Sequence, residues 1–71
     1  MKVTVYSKPN CQQCRATERW LQAKNVEYGY IDVTKDEIGM AAAEGTGIRA
    51  MPIVIADGHA PWGGFQPDRL M

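Results

Sequence analysis

The chain has 71 residues, 45% apolar and 23% charged, a composition that supports a small folded domain and argues against disorder. Eight Lys and Arg offset eight Asp and Glu with the signs interspersed, which excludes a basic face for nucleic acid or anionic lipid. No apolar run is long enough to span a bilayer, and Met1 to Tyr6 alternates where a signal peptide would be continuously apolar, so the cytoplasm is the expected compartment.

Lys2 to Ser7 alternates with Val3 and Val5 on one face and is predicted as a strand ending at the turn formers Ser7, Pro9 and Asn10. Gln12 to Lys24 contains good helix formers and neither Gly nor Pro. Cys14, Thr17, Leu21 and Lys24 form one stripe with Trp20 beside it, and Asn25 suits a left-handed stop. Tyr28 to Val33 is predicted as a second strand. Thr34-Lys35-Asp36-Glu37 then has the form of a capping box ahead of Ile38, Met40 and three alanines, so a second helix is expected to about Glu44, ended by Gly45 and Gly47.

Pro52 leads into Ile53-Val54-Ile55-Ala56, a continuous apolar run expected of a central strand covered on both faces. Asp57-Gly58 signals a hairpin whose return around Ala60 to Trp62 is an edge strand, where Pro61 is tolerated. Gly63 and Gly64 free the chain to turn, and Pro67 opens a final short helix, Pro67 to Leu70. The resulting order, β-α-β-α-β-β-α, combines a parallel crossover with an antiparallel hairpin. The expected fold is α/β, a mixed four-stranded sheet flanked by helices, within one domain over residues 1–71.

Cys11-Gln12-Gln13-Cys14 falls where the first strand gives way to the first helix. In a reducing compartment such a pair is expected to be catalytic or metal-binding, because so short a loop removes little unfolded-state entropy. Unpaired N–H groups and the positive end of the helix dipole favour a thiolate over a thiol at this place, which makes Cys11 the candidate attacking sulfur. Cys14, almost one helical turn further in, is the candidate resolving thiol. Lys8 would assist ionisation if its ammonium lay near Cys11, and is otherwise a solvated surface charge. Two blander readings of the pair are a coincidence of core cysteines and half of a zinc site. Zinc would need a tetrahedral ligand set, to which only His59 adds a further soft ligand, so no metal site is expected from one chain. The Met51-Pro52 bond is either an ordinary trans bond at a strand start, the form propensity favours, or a cis bond beside the site.

Three segments together, Ser7-Lys8-Pro9-Asn10-Cys11-Gln12-Gln13-Cys14, Met51-Pro52 and Trp62-Gly63-Gly64-Phe65-Gln66-Pro67-Asp68, resemble glutaredoxin-like proteins of the NrdH-redoxin type in the thioredoxin superfamily. The resemblance implies a thioredoxin fold with Pro52 cis against the disulfide and the Met51 backbone aligning an extended partner segment. It further implies a monomeric carrier with a reversible Cys11–Cys14 disulfide and no bound cofactor. Electrons would pass from NADPH through thioredoxin reductase to ribonucleotide reductase. Trp62 is expected as a docking or loop-anchoring ring and Phe65 as a core residue.

The chain also departs from common patterns. Gln12-Gln13 stands where ordinary glutaredoxins have Pro-Tyr, with Gln13 matching a glutamine of the NrdH type, and Gly63 stands where that type commonly has Ser. Lys8 and Gly63-Gly64 also resemble a glutathione site, which keeps a glutathione-dependent glutaredoxin as the alternative. A module holding zinc or an iron-sulfur cluster between two chains is the reading from another class.

Overall fold

The computed structural model describes residues 2–70; Met1 and Met71, the ends of the expected domain, lie outside the described residues. Its elements are β1 (Val3–Ser7), α1 (Gln12–Ala23), β2 (Gly29–Asp32), α2 (Glu37–Gly45), β3 (Ile53–Ala56), β4 (Trp62–Gly63) and a closing 3₁₀ turn, Pro67–Leu70. The four strands form one sheet in the order β2-β1-β3-β4. β1 runs parallel to β2 and antiparallel to β3, and β3 runs antiparallel to β4. This is the thioredoxin-like α/β arrangement expected, with β3 in the interior of the sheet.

Strand alternation divides the core into two halves. Val3 pairs with Ala56 and Val5 with Val54, so these residues share one face, where they pack with Leu21 of α1 and Trp62 of β4. On the other face Ile53 packs with Val33 and with Ala43 of α2, flanked by Tyr6, Ile48 and Met51. α1 therefore covers one side and α2 the other, as a mixed sheet buried on both faces requires.

α1 ends as Asn25 foretells. Asn25 has φ +57°, and the bonds Asn25 N–H to Gln22 O (3.1 Å) and Val26 N–H to Leu21 O (2.9 Å) complete a Schellman motif. Because the helix stops at Ala23, Lys24 is the exposed C-cap and leaves the buried stripe to Cys14, Thr17 and Leu21. The Tyr28 hydroxyl then donates to Glu18 and accepts from Gln22 Nε2, both at 2.9 Å, tying α1 to the approach to β2.

Two further expectations, the cap of α2 and the bounds of the edge strand, are corrected. Ser7 closes β1, as the strand Lys2 to Ser7 anticipates, and is fully buried. The cap of α2 is Asp36, whose Oδ1 accepts from Gly39 N–H at 2.8 Å. Thr34 instead donates its N–H and hydroxyl to Asp32 in a turn before the helix, so the capping box is not made. The edge strand is Trp62–Gly63, because Pro61 has no N–H to give a ladder and the hairpin loop runs further than expected. The expected closing helix, Pro67 to Leu70, is present with those bounds as a single 3₁₀ turn, as suits four residues.

Candidate redox site

β1 delivers the chain to Lys8, Pro9 and Asn10, where Asn10 at φ +60° makes the left-handed step into α1. Cys11 is the N-cap of α1, with extended backbone at φ −112° and ψ 105°. Its Sγ accepts the Cys14 N–H at 3.1 Å, so sulfur occupies the place an oxygen usually takes in capping an orphan helical donor. Cys11 and Cys14 are joined by a disulfide, with Cα atoms 5.2 Å apart. Cys11 is 9% exposed and Cys14 only 1%. The same N–H and the helix dipole would hold negative charge on Cys11 Sγ once the disulfide opens, whereas Cys14 sits deeper.

Residues remote in sequence close over this turn. Gln13 extends its side chain so that Oε1 accepts the Phe65 N–H at 3.0 Å, and Gly64 N–H donates to Pro52 O at 2.9 Å. The Cys turn, the Pro52 loop and the Gly63-Gly64 segment thus form one hydrogen-bonded unit. Gly64 has φ +79°, which favours glycine at this turn, and a Cβ there would stand 2.9 Å from Gln13 Oε1. At Gly63 a Cβ would meet Ala50 O at 2.6 Å and Ile48 Cγ2 at 2.5 Å, so any side chain here would force the neighbouring backbone to shift. The Met51-Pro52 bond is cis, the alternative the resemblance implied; Pro52 is fully buried and Met51 partly so. Lys8 and Gln12 are exposed on the turn itself.

The two aromatic assignments are reversed. Trp62 is 5% exposed and belongs to the core with Val54 and Leu21, since its place opposite Val54 points it at α1. Phe65, beyond the strand, is 40% exposed and lies beside the Cys turn through the Gln13 bond. With Trp62 committed to the core, Phe65 is the more exposed of the two rings at this end of the molecule. The alternation of β4 held this signal, but only once its start is moved to Trp62.

Sequence reasoning also missed the packing of Ile48 and Ala50 against Gly63 and the burial of Ser7 beneath α1; neither follows from a local motif. Beside Ser7 in the sheet, Asp32 has its carboxyl held below the usual range by the Thr34 hydroxyl and N–H. His59 lies on the exposed hairpin, its ring edge-on to Trp62 at 6.4 Å between centroids. Among the described residues no group of three or more His, Cys, Asp and Glu could hold a metal, and no helix is long and apolar enough to cross a membrane.

Comparison with known proteins places this geometry. Residues 3–60 match the Glutaredoxin family. Glutaredoxin-like protein NrdH of Escherichia coli (strain K12) is 34% identical over 70 residues, covering 99% of this chain and 85% of that protein. Glutaredoxin-like protein NrdH of Lactococcus lactis subsp. cremoris (strain MG1363) is 34% identical over 68 residues, covering 96% and 93%. The solved structure of the glutaredoxin-like protein NrdH-redoxin from Escherichia coli, a protein described by its thioredoxin-like activity profile, agrees with a TM-score of 0.87 at 34% identity, over 96% of this chain and 88% of that one. With its cysteine pair at the head of α1, the chain belongs to the NrdH-type glutaredoxin-like proteins, thiol–disulfide oxidoreductases of the glutaredoxin family.

Proposed function

We propose that the chain is a single-domain cytoplasmic dithiol carrier, reduced by thioredoxin reductase at the expense of NADPH and passing two electrons to a protein disulfide such as that of ribonucleotide reductase. The observation that carries this reading is the Cys14 N–H on Cys11 Sγ at the N-cap of α1, with Cys14 the more deeply buried sulfur. In the forward half-reaction the Cys11 thiolate attacks one sulfur of the target disulfide and expels the other as a thiolate. Cys14, giving up its proton, then attacks Cys11 Sγ, breaks the mixed disulfide and releases the second target sulfur. The target gains two electrons, one proton from Cys14 and a second from solvent, and the carrier is left as the Cys11–Cys14 disulfide. Reductase restores the dithiol with two electrons from NADPH.

The remaining residues support recognition. The Met51 backbone beside Pro52 offers an extended partner segment a place to pair. Gln13 fixes Phe65 next to the cysteines, and the exposed Lys8 and Gln12 border the same turn. The thioredoxin-like activity profile of the Escherichia coli relative favours thioredoxin reductase over glutathione as the source of electrons. The test is NADPH oxidation by the disulfide form in two parallel arms, one with thioredoxin reductase and one with glutathione and glutathione reductase, with Cys11→Ser as control. Turnover confined to the first arm is expected. Turnover confined to the second would make the chain a glutathione-dependent glutaredoxin acting through Lys8, Gly63 and Gly64, and would overturn the proposal.

A further inference from the structure

Among the described residues the methionines are Met40 and Met51, and both line one groove between α2 and the loop that leads into β3, together with Ala43, Ile48 and Ile53. Met40 lies on α2 and is 36% exposed. Met51 is partly exposed, stands immediately before the cis bond to Pro52, and packs against the core cluster of Val33, Ala43 and Ile53. A thioether is flexible and polarisable, which suits it to lining a groove, but it is also an oxidisable sulfur.

The disulfide form leaves these thioethers as the oxidisable sulfurs of the described chain. Cys11 and Cys14 are bonded to each other and no free cysteine remains, so there is no thiolate for a peroxide to carry to sulfenic acid. The carrier is in this state each time it leaves a target, before the dithiol is restored.

Oxidation of the two would not be equivalent. Met40 belongs to the helix wall of the groove, whereas Met51 belongs to the loop whose backbone offers a partner segment a place to pair. A sulfoxide is polar and chiral where the thioether is apolar. At Met51 its oxygen could not stay among Val33, Ala43 and Ile53 without the cost of an unpaired polar group, so the side chain would leave that packing and turn outward. It would then carry a polar group onto the surface a partner meets, next to Pro52.

We propose that Met51 is an oxidative modification site: a hydroperoxide converts its thioether to the sulfoxide while the cysteines are joined, and the sulfoxide weakens docking of the partner protein. The effect on docking rests on the proposed reading of the Met51–Pro52 loop as the place where a partner segment pairs. In the modification Met51 Sδ attacks the terminal oxygen of R–O–OH. The S–O bond forms as the O–O bond breaks, and sulfur gives up two electrons. The proton of the transferred hydroxyl passes to the departing RO⁻, which leaves as water or an alcohol. The cysteines take no part. A methionine sulfoxide reductase, with a dithiol as reductant, removes the oxygen as water and reverses the step.

The test treats the disulfide form with hydrogen peroxide, removes the peroxide, and follows each methionine by peptide mapping with mass spectrometry. NADPH oxidation with thioredoxin reductase is then compared with each protein's own untreated sample. The wild type is expected to gain an oxygen at Met51, and its KM in the reductase reaction to rise about fivefold with little change in kcat. The same rise should occur in Met40→Leu and disappear in Met51→Leu, which retains Met1, Met40 and Met71. Methionine sulfoxide reductase should return the oxidised wild type to its starting KM. An unmodified Met51 once Met40 is fully oxidised, an oxidised Met51 with unchanged KM, or a rise that persists in Met51→Leu would overturn the inference while leaving the redox pair standing. Failure of the untreated wild type to turn over with the reductase would instead remove the reading on which the docking effect rests, and this inference with it.

Discussion

Gln13 Oε1 accepts the Phe65 N–H at 3.0 Å, joining residues 52 apart in sequence and fastening the turn between the cysteines to the segment after β4. The bond is exposed, so its net contribution to folding is expected to stay below about 1 kcal/mol. Its local effect is measurable. Gln13→Ala should lower hydrogen-exchange protection of the Phe65 amide by roughly two- to tenfold, whereas Gln13→Glu, which keeps an acceptor, should retain most of it. Equal protection in all three proteins would show that Gln13 does not hold this segment.

The burial of Trp62 and the exposure of Phe65 lead to different expectations for the two rings. Trp62→Ala should cost about 3–5 kcal/mol, a large part of the folding free energy of so small a domain. Phe65→Ala should change stability by less than about 1 kcal/mol but raise the KM of the reductase reaction, since it removes an exposed apolar contact beside the cysteines. Chemical denaturation of both variants, with reductase kinetics for the second, checks the assignment.

Tyr28 gives the fold an alkaline limit. Burial, and then the bond its hydroxyl donates to Glu18, hold its pKa above the ordinary tyrosine value. The folded state therefore keeps the Tyr28 proton at pH values where the unfolded chain releases it. The stability this provides is complete below the unfolded pKa, near pH 10, and is lost as pH rises through the folded value. Tyr28→Phe should cost about 0.5–1.5 kcal/mol at neutral pH through the lost hydrogen bonds. It should also flatten the alkaline part of the stability curve. Denaturation midpoints between neutral pH and pH 11 would check both effects.

Much of this was legible in the sequence because it is local. The alternation of Val3 and Val5, the αL stop at Asn25, the apolar run Ile53 to Ala56 and the cysteines at a strand-to-helix junction each carry a short-range physical signature. What failed depended on contacts between segments. Which of Trp62 and Phe65 is inward follows from the register of β4 on β3, and that register is set by where Pro61 lets pairing begin. The competition between Asp36 and Thr34 to cap α2 was settled by Asp32, which engages Thr34 in the preceding turn. Ser7 was legible as the end of the first strand, but its complete burial was not. Gln13 stood out by its position between the cysteines, but no spacing rule links it to Phe65.

The central claim, that Cys11 attacks and Cys14 resolves, is tested most directly by incubating reduced Cys14→Ser and Cys11→Ser with a protein disulfide and identifying the trapped complex by mass spectrometry after acid quenching. The account predicts a stable mixed disulfide through Cys11 in Cys14→Ser and little or none through Cys14 in Cys11→Ser, because Cys11 Sγ lies at the helix N-cap and Cys14 is buried. A complex formed equally well through Cys14, or none through Cys11, would contradict it.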